Sequence, residues 1–306
     1  MIIRENTLQI KNKALQLGFN DCGISKAGLL AEESAHYTEW LNNGYHAGLS
    51  YMSRNSEKRF DPRKLVDDAK SVISVILNYF PAEIQNPDAP VLSKYAYGAD
   101  YHIVIKEKLK ILLDFIRITI PGSEGRFFTD SAPVHEHSWA RRSGLGWTGK
   151  NSLLITRKSG SFVFIGEVII NTELEYDEPA RDLCGTCTRC ISACPTGAII
   201  SAYKVDARKC ISYHTIENKT ESIPESFRNK FMDRIFGCDI CQDVCPWNQK
   251  LKPHSTKEFN SGSEVLKMTR REWYSMDEEK FNTMFRDSAV KRAEYQGIRR
   301  NLEFLI

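Results

Sequence analysis

The sequence predicts an α+β domain, a cysteine-rich module following it, and a short helical segment at the end. Three observations carry that prediction. Strand-prone runs such as VISVILNY (Val72–Tyr79) and SFVFIGEVIIN (Ser161–Asn171) mix with helix-prone runs over the first 175 residues. Eight of the nine cysteines fall between Cys184 and Cys245. After residue 250 the chain reads as helical and polar and ends in FRDSAVKRAEYQGIRRNLEFLI. The expected boundaries are therefore 1–175, 176–250 and 251–306.

Taken in order, residues 4–17 read as a helix whose mixed face carries Leu8, Lys11 and Leu15. Residues 31–43 form a second helix, stopped by Gly44. The stretch GYHAGLSYMSRNSEKRFDPRKL is polar and aromatic and reads as a long functional loop with short helices. Val72–Tyr79 is β-prone enough for a central strand, and Pro81–Pro90 is a loop. Residues 102–118 make a helix, and Arg126–Asp130 a strand ending in an acid. SAPVHEHSWARRSGLGWTGKNSLLI then runs from loop to short helix to glycine-rich turn, entering a strand near Ser152, before the strand at Ser161–Asn171.

Bulk composition is that of an ordinary globular protein: 306 residues, 42% hydrophobic, 26% charged, formal net charge +3. That mild charge neither requires nor excludes a nucleic-acid partner. No apolar run approaches the roughly 20 residues that span a bilayer. The start, MIIRENTLQIKNKALQLGF, is amphipathic rather than a targeting segment. The expectation is a cytoplasmic protein with no membrane partner, acting as a monomer.

The cysteines form two half-sets. The first is Cys184, Cys187, Cys190 and Cys194 followed by Pro195; the second is Cys238, Cys241 and Cys245 followed by Pro246, with Cys210 upstream. C-x₂-C-x₂-C-x₃-C-P is the bacterial two-cluster iron–sulfur pattern, in which the last cysteine of each run ligates the other cluster. One [4Fe–4S] cluster is thereby assigned to Cys184, Cys187, Cys190 and Cys245, and a second to Cys194, Cys210, Cys238 and Cys241. A tight loop wraps three corners of a cubane with soft thiolates, and the fourth ligand comes from the far run. The second set is less regular because residues 211–237 intervene. Zinc also uses CxxC pairs but seldom three at successive x₂ spacing, and disulfides do not suit a reducing cytosol. Cys22 reads as a small buried residue.

Clusters of this kind feed single electrons onward, and 175 residues are far more than a carrier needs. The economical reading is a catalytic domain fused to its electron supply; a plain ferredoxin-type carrier is the alternative. The first domain offers no dinucleotide site. Gly144-Leu145-Gly146-Trp147-Thr148-Gly149 spells G-x-G-x-x-G, but no strand leads into it and Glu167 lies inside a strand. Gly149-Lys150-Asn151-Ser152 misses a P-loop by an inserted Asn, and Asp100-Tyr101-His102 begins a D-x-H-x-x-G cobalamin motif that lacks its glycine.

Several segments together resemble epoxyqueuosine reductases, the cobalamin-dependent iron–sulfur enzymes of tRNA queuosine synthesis. These are Gly44-Tyr45-His46, Ser93-Lys94-Tyr95-Ala96-Tyr97-Gly98-Ala99-Asp100-Tyr101-His102, Asp130-Ser131-Ala132-Pro133-Val134, Gly144–Leu154, both cysteine sets, and Ala289–Asn301. The resemblance spans nearly the whole chain. It implies a nitroreductase-like corrinoid-binding domain beside a ferredoxin-like module, base-off cobalamin, tRNA carrying epoxyqueuosine as substrate, and an external low-potential donor of ferredoxin or flavodoxin type. It further implies that Asp130 is the proton donor, and the HEAT-like tRNA-binding domain of some members is expected to be missing. Reductive dehalogenases share the cofactor set and are the runner-up reading.

Asp130 follows Phe127 and Phe128, and apolar neighbours would keep it protonated for delivery to an opening alkoxide; the plainer reading is a turn-forming Asp. Lys150, Asn151 and Ser152 are expected to hold corrin amides or a phosphate with the backbone N–H groups near Gly146 and Gly149, against a solvated hairpin. Arg54, Tyr97, Tyr101, His135 and Trp147 are further pocket candidates, and Ser212 and Tyr213, just past Cys210, would touch a corrinoid abutting the second cluster. Lys291, Arg292, Arg299 and Arg300 are expected to meet RNA phosphates, although a solvated helix would carry the same charges.

Overall fold

The computed structural model describes residues 2–260 and 263–306. Helix α1 (Ile2–Gln16) leads into β1 (Asp21–Lys26) and α2 (Ala31–Asn42), and a short α3 (Ser56–Arg59) lies in the long loop before β2 (Ser71–Asn78). After β3 (Val91–Leu92) come α4 (Tyr101–Thr119), β4 (Gly125–Phe128), α5 (Glu136–Arg142), the two-residue pair β5 (Trp147–Thr148) and β6 (Leu154–Ile155), and β7 (Val163–Ile170). The main sheet has the order β1-β2-β7-β4, and every neighbouring pair in it is antiparallel.

Both faces of this sheet are covered, so every residue of β2 is buried, the polar Ser71, Ser74 and Asn78 included. Ile73, Val75 and Leu77 join Phe164, Val168 and Ile170 under α1 and α4. Helix α4 contributes Val104, Ile105, Leu109, Leu112, Leu113 and Ile116, spaced to form one stripe. It packs so closely that a Cβ on Gly166 would lie 2.9 Å from Ile105. Strand alternation sends Val72, Ile76, Ile165 and Ile169 to the other face, against Trp139, Ala140 and Leu145 of α5 and its following turn. Glu167 points to that same side, directly opposite Ser74.

Sequence reading missed β1. Asp21-Cys22-Gly23-Ile24-Ser25-Lys26 has one β-branched residue, and its strand state comes from pairing with β2. Cys22 is buried in it, as a small core residue. A side chain at Gly23 would collide with the Ser143 carbonyl at 2.1 Å, so glycine lets the end of α5 sit on the strand.

The cysteine region contains α6 (Arg189–Ala193), the hairpin β8 (Ile199–Ser201) and β9 (Lys204–Val205), then β10 (Arg234–Phe236) and α7 (Ile240–Asp243). The chain ends in α8 (Ser263–Lys267), α9 (Arg270–Ser275), α10 (Glu278–Met284) and α11 (Glu294–Phe304). These last helices are not a solvated tail. Trp273, Phe281, Phe285, Val290, Ile298 and Leu302 share a core with Leu92, Ala96, Tyr97, Ile235 and Phe236, and β10 pairs in parallel with β3. Among the described residues, no helix is long and apolar enough to cross a membrane.

Candidate active site

Strand β4 delivers Asp130 to the end of the sheet. Thr129, fully buried, donates its hydroxyl to the Ile165 carbonyl at 2.8 Å and fixes the strand end. Asp130 then takes a left-handed conformation, φ +52°, which few non-glycine residues adopt. Ser131 N–H closes back on the Thr129 carbonyl at 2.6 Å, and Val134 N–H on that of Ala132 at 2.8 Å. The Asp130 backbone N–H donates to Glu136 Oε1 at 2.6 Å. Its carboxylate accepts from the Tyr101 hydroxyl, and His102 Nε2 stands 3.7 Å away. Tyr101 is held flat against Phe164, with centroids 4.2 Å apart and planes 6° from parallel. Asp100 caps α4 through the His102 N–H and faces His102 Nδ1 at 2.8 Å.

The environment of Asp130 differs from the expectation of a closed apolar pocket. Its side chain is 62% exposed. The carboxyls displaced by burial lie behind it. Glu136 is half-buried and is pushed up to about 8 by desolvation, with the Asp130 carboxylate adding to the effect. Glu167 is fully buried and raised well above the usual range by desolvation, although Ser74 Oγ donates to it at 2.7 Å. His135 is pushed down to about 4, chiefly by burial against Phe60 and Tyr37.

Glu167 has a consequence for stability. It is neutral in the fold and ionises in the unfolded chain above its ordinary value of 4.5. Its stabilising protonation is complete below that value and is lost as pH rises toward the raised folded value. Urea midpoints should therefore decline as pH rises above about 5, and Glu167→Gln, which keeps an acceptor for Ser74, should flatten that decline. An unaltered slope in the variant would show that Glu167 does not cause it.

The cysteines gather in two groups. Cys245 lies within electrostatic reach of Cys184, Cys190 and Cys187, and Cys190 of Cys184 and Cys187. Cys241 lies within reach of Cys238 and Cys210, and Cys210 of Cys194. Burial raises the Cys210 and Cys241 thiols and pushes Cys238 up to about 12, so a metal that takes them as thiolates must displace their protons. The Ala198 N–H already points at Cys194 Sγ, 3.2 Å away. Among the described residues, no three His, Cys, Asp or Glu side chains are arranged to hold a single metal ion.

The residues singled out from sequence spread over several roles. Lys150 donates to the Gly185 and Cys187 carbonyls at 2.6 and 2.9 Å, so it clamps the first cysteine loop. Asn151 reaches the Cys241 thiol, and the Ser152 carbonyl accepts from His137 Nδ1 at 3.2 Å. Trp147 packs beside Cys245 and edge-on to Trp247. The glycines near it serve close packing: a Cβ on Gly146 would meet the Ile155 carbonyl at 2.3 Å. Tyr97 belongs to the core shared with the last helices, and Arg54 bonds Ser50 at the surface. Tyr213 accepts the Gly48 N–H at 3.0 Å, and Ser212 immediately precedes the π-helical turn Tyr213–Glu217.

The four basic residues near the end are unlike one another. Arg300 spends its guanidinium on the carbonyls of Asn218, Thr220 and His214 and on Asn301 Oδ1. That makes it an internal clamp, and its charge is not offered outward as the sequence suggested. Arg299 bonds the Tyr274 carbonyl and Glu303. Arg292 is exposed, pairs with Glu217 through two hydrogen bonds, and lies within electrostatic reach of Tyr51 and Asp130. Lys291 is exposed.

Sequence reasoning missed Glu136 and gave His102 no role at the acid. Both lie in segments already singled out, and Glu136 follows Asp130 by six positions. What was not legible was the backbone turn that brings that carboxyl to the Asp130 N–H.

An exposed acid on a rigid sheet end, in a chain that also carries two sets of cysteines spaced for iron–sulfur clusters, defines an iron–sulfur oxidoreductase. Comparison with known proteins agrees. Residues 183–248 match the 4Fe-4S double cluster binding domain, and residues 59–131 match the family described as Epoxyqueuosine reductase QueG, DUF1730. An epoxyqueuosine reductase of Cellulophaga algicola is 54% identical over 97% of this chain and 96% of its own. A crystal structure of epoxyqueuosine reductase with an epoxyqueuosine-modified tRNA-Tyr stem loop is 29% identical, with TM-score 0.89 over 98% of this chain and 80% of that one. The Bacillus subtilis epoxyqueuosine reductase, in a structure with its catalytic aspartate loop swung out of the active site, is 28% identical with TM-score 0.91 over 98% and 81%. The chain belongs to the epoxyqueuosine reductase family: a nitroreductase-like domain fused to a 4Fe-4S module. A catabolic reductive dehalogenase, 15% identical with TM-score 0.54 over 98% of this chain and 38% of its own, shares the fold alone.

Proposed function

We propose that Asp130 donates a proton while two [4Fe–4S] clusters and a base-off cobalamin supply the electrons for this family's reaction. The chain reduces epoxyqueuosine in tRNA to queuosine. Two electrons and two protons enter, the epoxide oxygen leaves as water, and an alkene remains. The observation that carries the reading is the placement of Asp130. Its backbone is tied to Glu136; the adjacent His137 meets Ser152, and Asn151 meets Cys241. A short chain of contacts, through Glu136, His137, Ser152 and Asn151, thus links the acid to Cys241.

The donor set fits both cofactors. The two electrostatic groupings of cysteines coincide with the two ligand sets drawn from the spacing, each with four thiols. His102 would not be free to bind a corrinoid's metal, since its two ring nitrogens face Asp100 and Asp130. Tyr101, Asn151, Ser152, Ser212 and Tyr213 are the residues we assign to hold the corrinoid, with Arg54, His135 and Trp147 farther out. When bound, it supplies a strongly reducing cobalt centre.

The chain's own residues do the rest. Tyr101 orients the Asp130 carboxyl, and substrate settling over that carboxyl excludes water from it. Asp130 then delivers the proton as the carbon–oxygen bond opens. A ferredoxin or flavodoxin serves as external donor, the protein acts as a monomer, and the tRNA substrate places the work in the cytoplasm. The deciding measurement is the mass of the modified nucleoside after anaerobic incubation of epoxyqueuosine tRNA with loaded protein and reductant. Loss of one oxygen is expected. An unchanged mass, with halide released from an organohalide instead, would point to dehalogenation. For the corrinoid, EPR of the cob(II)alamin form should lack nitrogen splitting from an axial imidazole.

The tRNA contact is assigned to Lys291 and Arg292, both exposed, with Arg292 within electrostatic reach of Asp130. Replacing both by Ala should weaken tRNA binding and lower its salt slope by about two, leaving cofactor spectra intact. Arg299→Ala and Arg300→Ala should instead lower the thermal midpoint, with little change in salt slope. Equal salt effects from the two pairs would return all four residues to the RNA surface.

A further inference from the structure

We propose that Glu136 is the latch that fixes the Asp130 turn and so acts as a positioning residue for proton delivery. The inference rests on the reading of Asp130 as proton donor. It starts from an unfavourable backbone. Asp130 has φ +52° and is followed by a contact in which Ser131 N–H reaches only two residues back. Asp tolerates the left-handed region better than most residues, yet something must hold it there.

Two bonds do so from opposite sides. Tyr101 takes the side chain and Glu136 the backbone N–H, the latter at 2.6 Å. Only the second acts on the main-chain atoms whose torsions are strained. Glu136 is suited to this because its own backbone is rigid. It opens α5, whose Ser138, Trp139 and Ala140 are buried against the sheet. An acid in a helix's first turn ordinarily serves the helix's own free N–H groups. Here, among the described residues, the side chain's hydrogen-bond partner is the Asp130 N–H. The carboxyl is also crowded by protein and near the Asp130 carboxylate, a cost that Arg59 only partly offsets, which is an unfavourable place for an acid without a task.

The consequence is a loop whose catalytic side chain is aimed by a residue that never touches substrate. Removing the acceptor should free the turn without disturbing α5 or either cofactor. The test uses anaerobically loaded protein with Glu136→Met, which keeps length but not the acceptor, and Glu136→Gln, which keeps the acceptor oxygen. Hydrogen exchange at the Asp130 amide in substrate-free protein should quicken about tenfold in the Met variant, as expected for one lost hydrogen bond, and stay near the wild-type rate in the Gln variant. With epoxyqueuosine tRNA, kcat should fall about tenfold in the Met variant with KM held within about twofold, and recover with Gln.

Unchanged exchange in a loaded Met variant overturns the proposal. So does a Gln variant that exchanges as fast as Met, and this arm decides the matter if the Met variant does not fold. Faster exchange with undiminished kcat keeps the latch but removes its part in proton delivery. Should Asp130→Asn prove fully active, the proton-donor reading fails by itself, and the exchange data still report on Glu136.

Discussion

Asp130→Asn is expected to cut epoxide reduction by at least tenfold and toward the 10²–10⁴-fold typical of losing a positioned general acid. Both clusters and the corrinoid should remain in place. The reason is geometric. Asn keeps an oxygen for the Tyr101 hydroxyl and a backbone N–H for Glu136, so the turn survives. What it loses is the ability to release a proton. The measurement is single-turnover loss of oxygen from the tRNA nucleoside, normalised to bound cobalt. Full turnover in a loaded variant would remove Asp130 from the chemistry and leave Tyr101 or His102 as the nearest proton sources.

Cys245→Ala should have the next largest effect. Cys245 is buried, far along the chain from the loop of Cys184, Cys187 and Cys190, yet it lies among those three thiols. Its loss should empty one cluster and spare the other, lowering bound iron from about eight atoms to about four, with turnover abolished. Cys194→Ala should empty the other cluster, since Cys194 lies near Cys210. Iron remaining at eight in Cys245→Ala, or one cluster's signal lost in both variants, would refute the crossed assignment.

The strongest elements were legible because their signals are local. Helix α4 shows its apolar stripe in sequence, and β2 and β7 are β-branched-rich runs of strand length, broken only by Ser74 in the one and Gly166-Glu167 in the other. The cysteine groups were legible because a short ligand loop fixes spacing along the chain. Strand β1 was not, since its conformation is imposed by its partner. Lys150 was read as a ligand for an external group because a lysine after a glycine turn resembles a phosphate site; only the folded chain shows the Gly185 and Cys187 carbonyls beneath it. Arg300 misled for a related reason. A run of basic residues looks alike in sequence whether its guanidinium groups face solvent or carbonyls 80 or more residues away. Tyr97, placed by its motif near the site, was drawn into a core whose other half lies beyond residue 260.

That shared core reaches into biosynthesis. Residues 89–97 leave the ribosome early, but their packing partners, from Val265 to Leu302, emerge last. Vectorial synthesis therefore cannot close this part of the molecule until translation is nearly over. Until then β10 can already pair with β3, but Leu92 and Tyr97 lack their helical cover and remain an adhesive strip on the growing chain. Such long-range closure also slows refolding, because the loop between the partners must be immobilised before any contact repays it. A chain released prematurely would carry every cysteine and the acid, and still lack the helices that cover its middle.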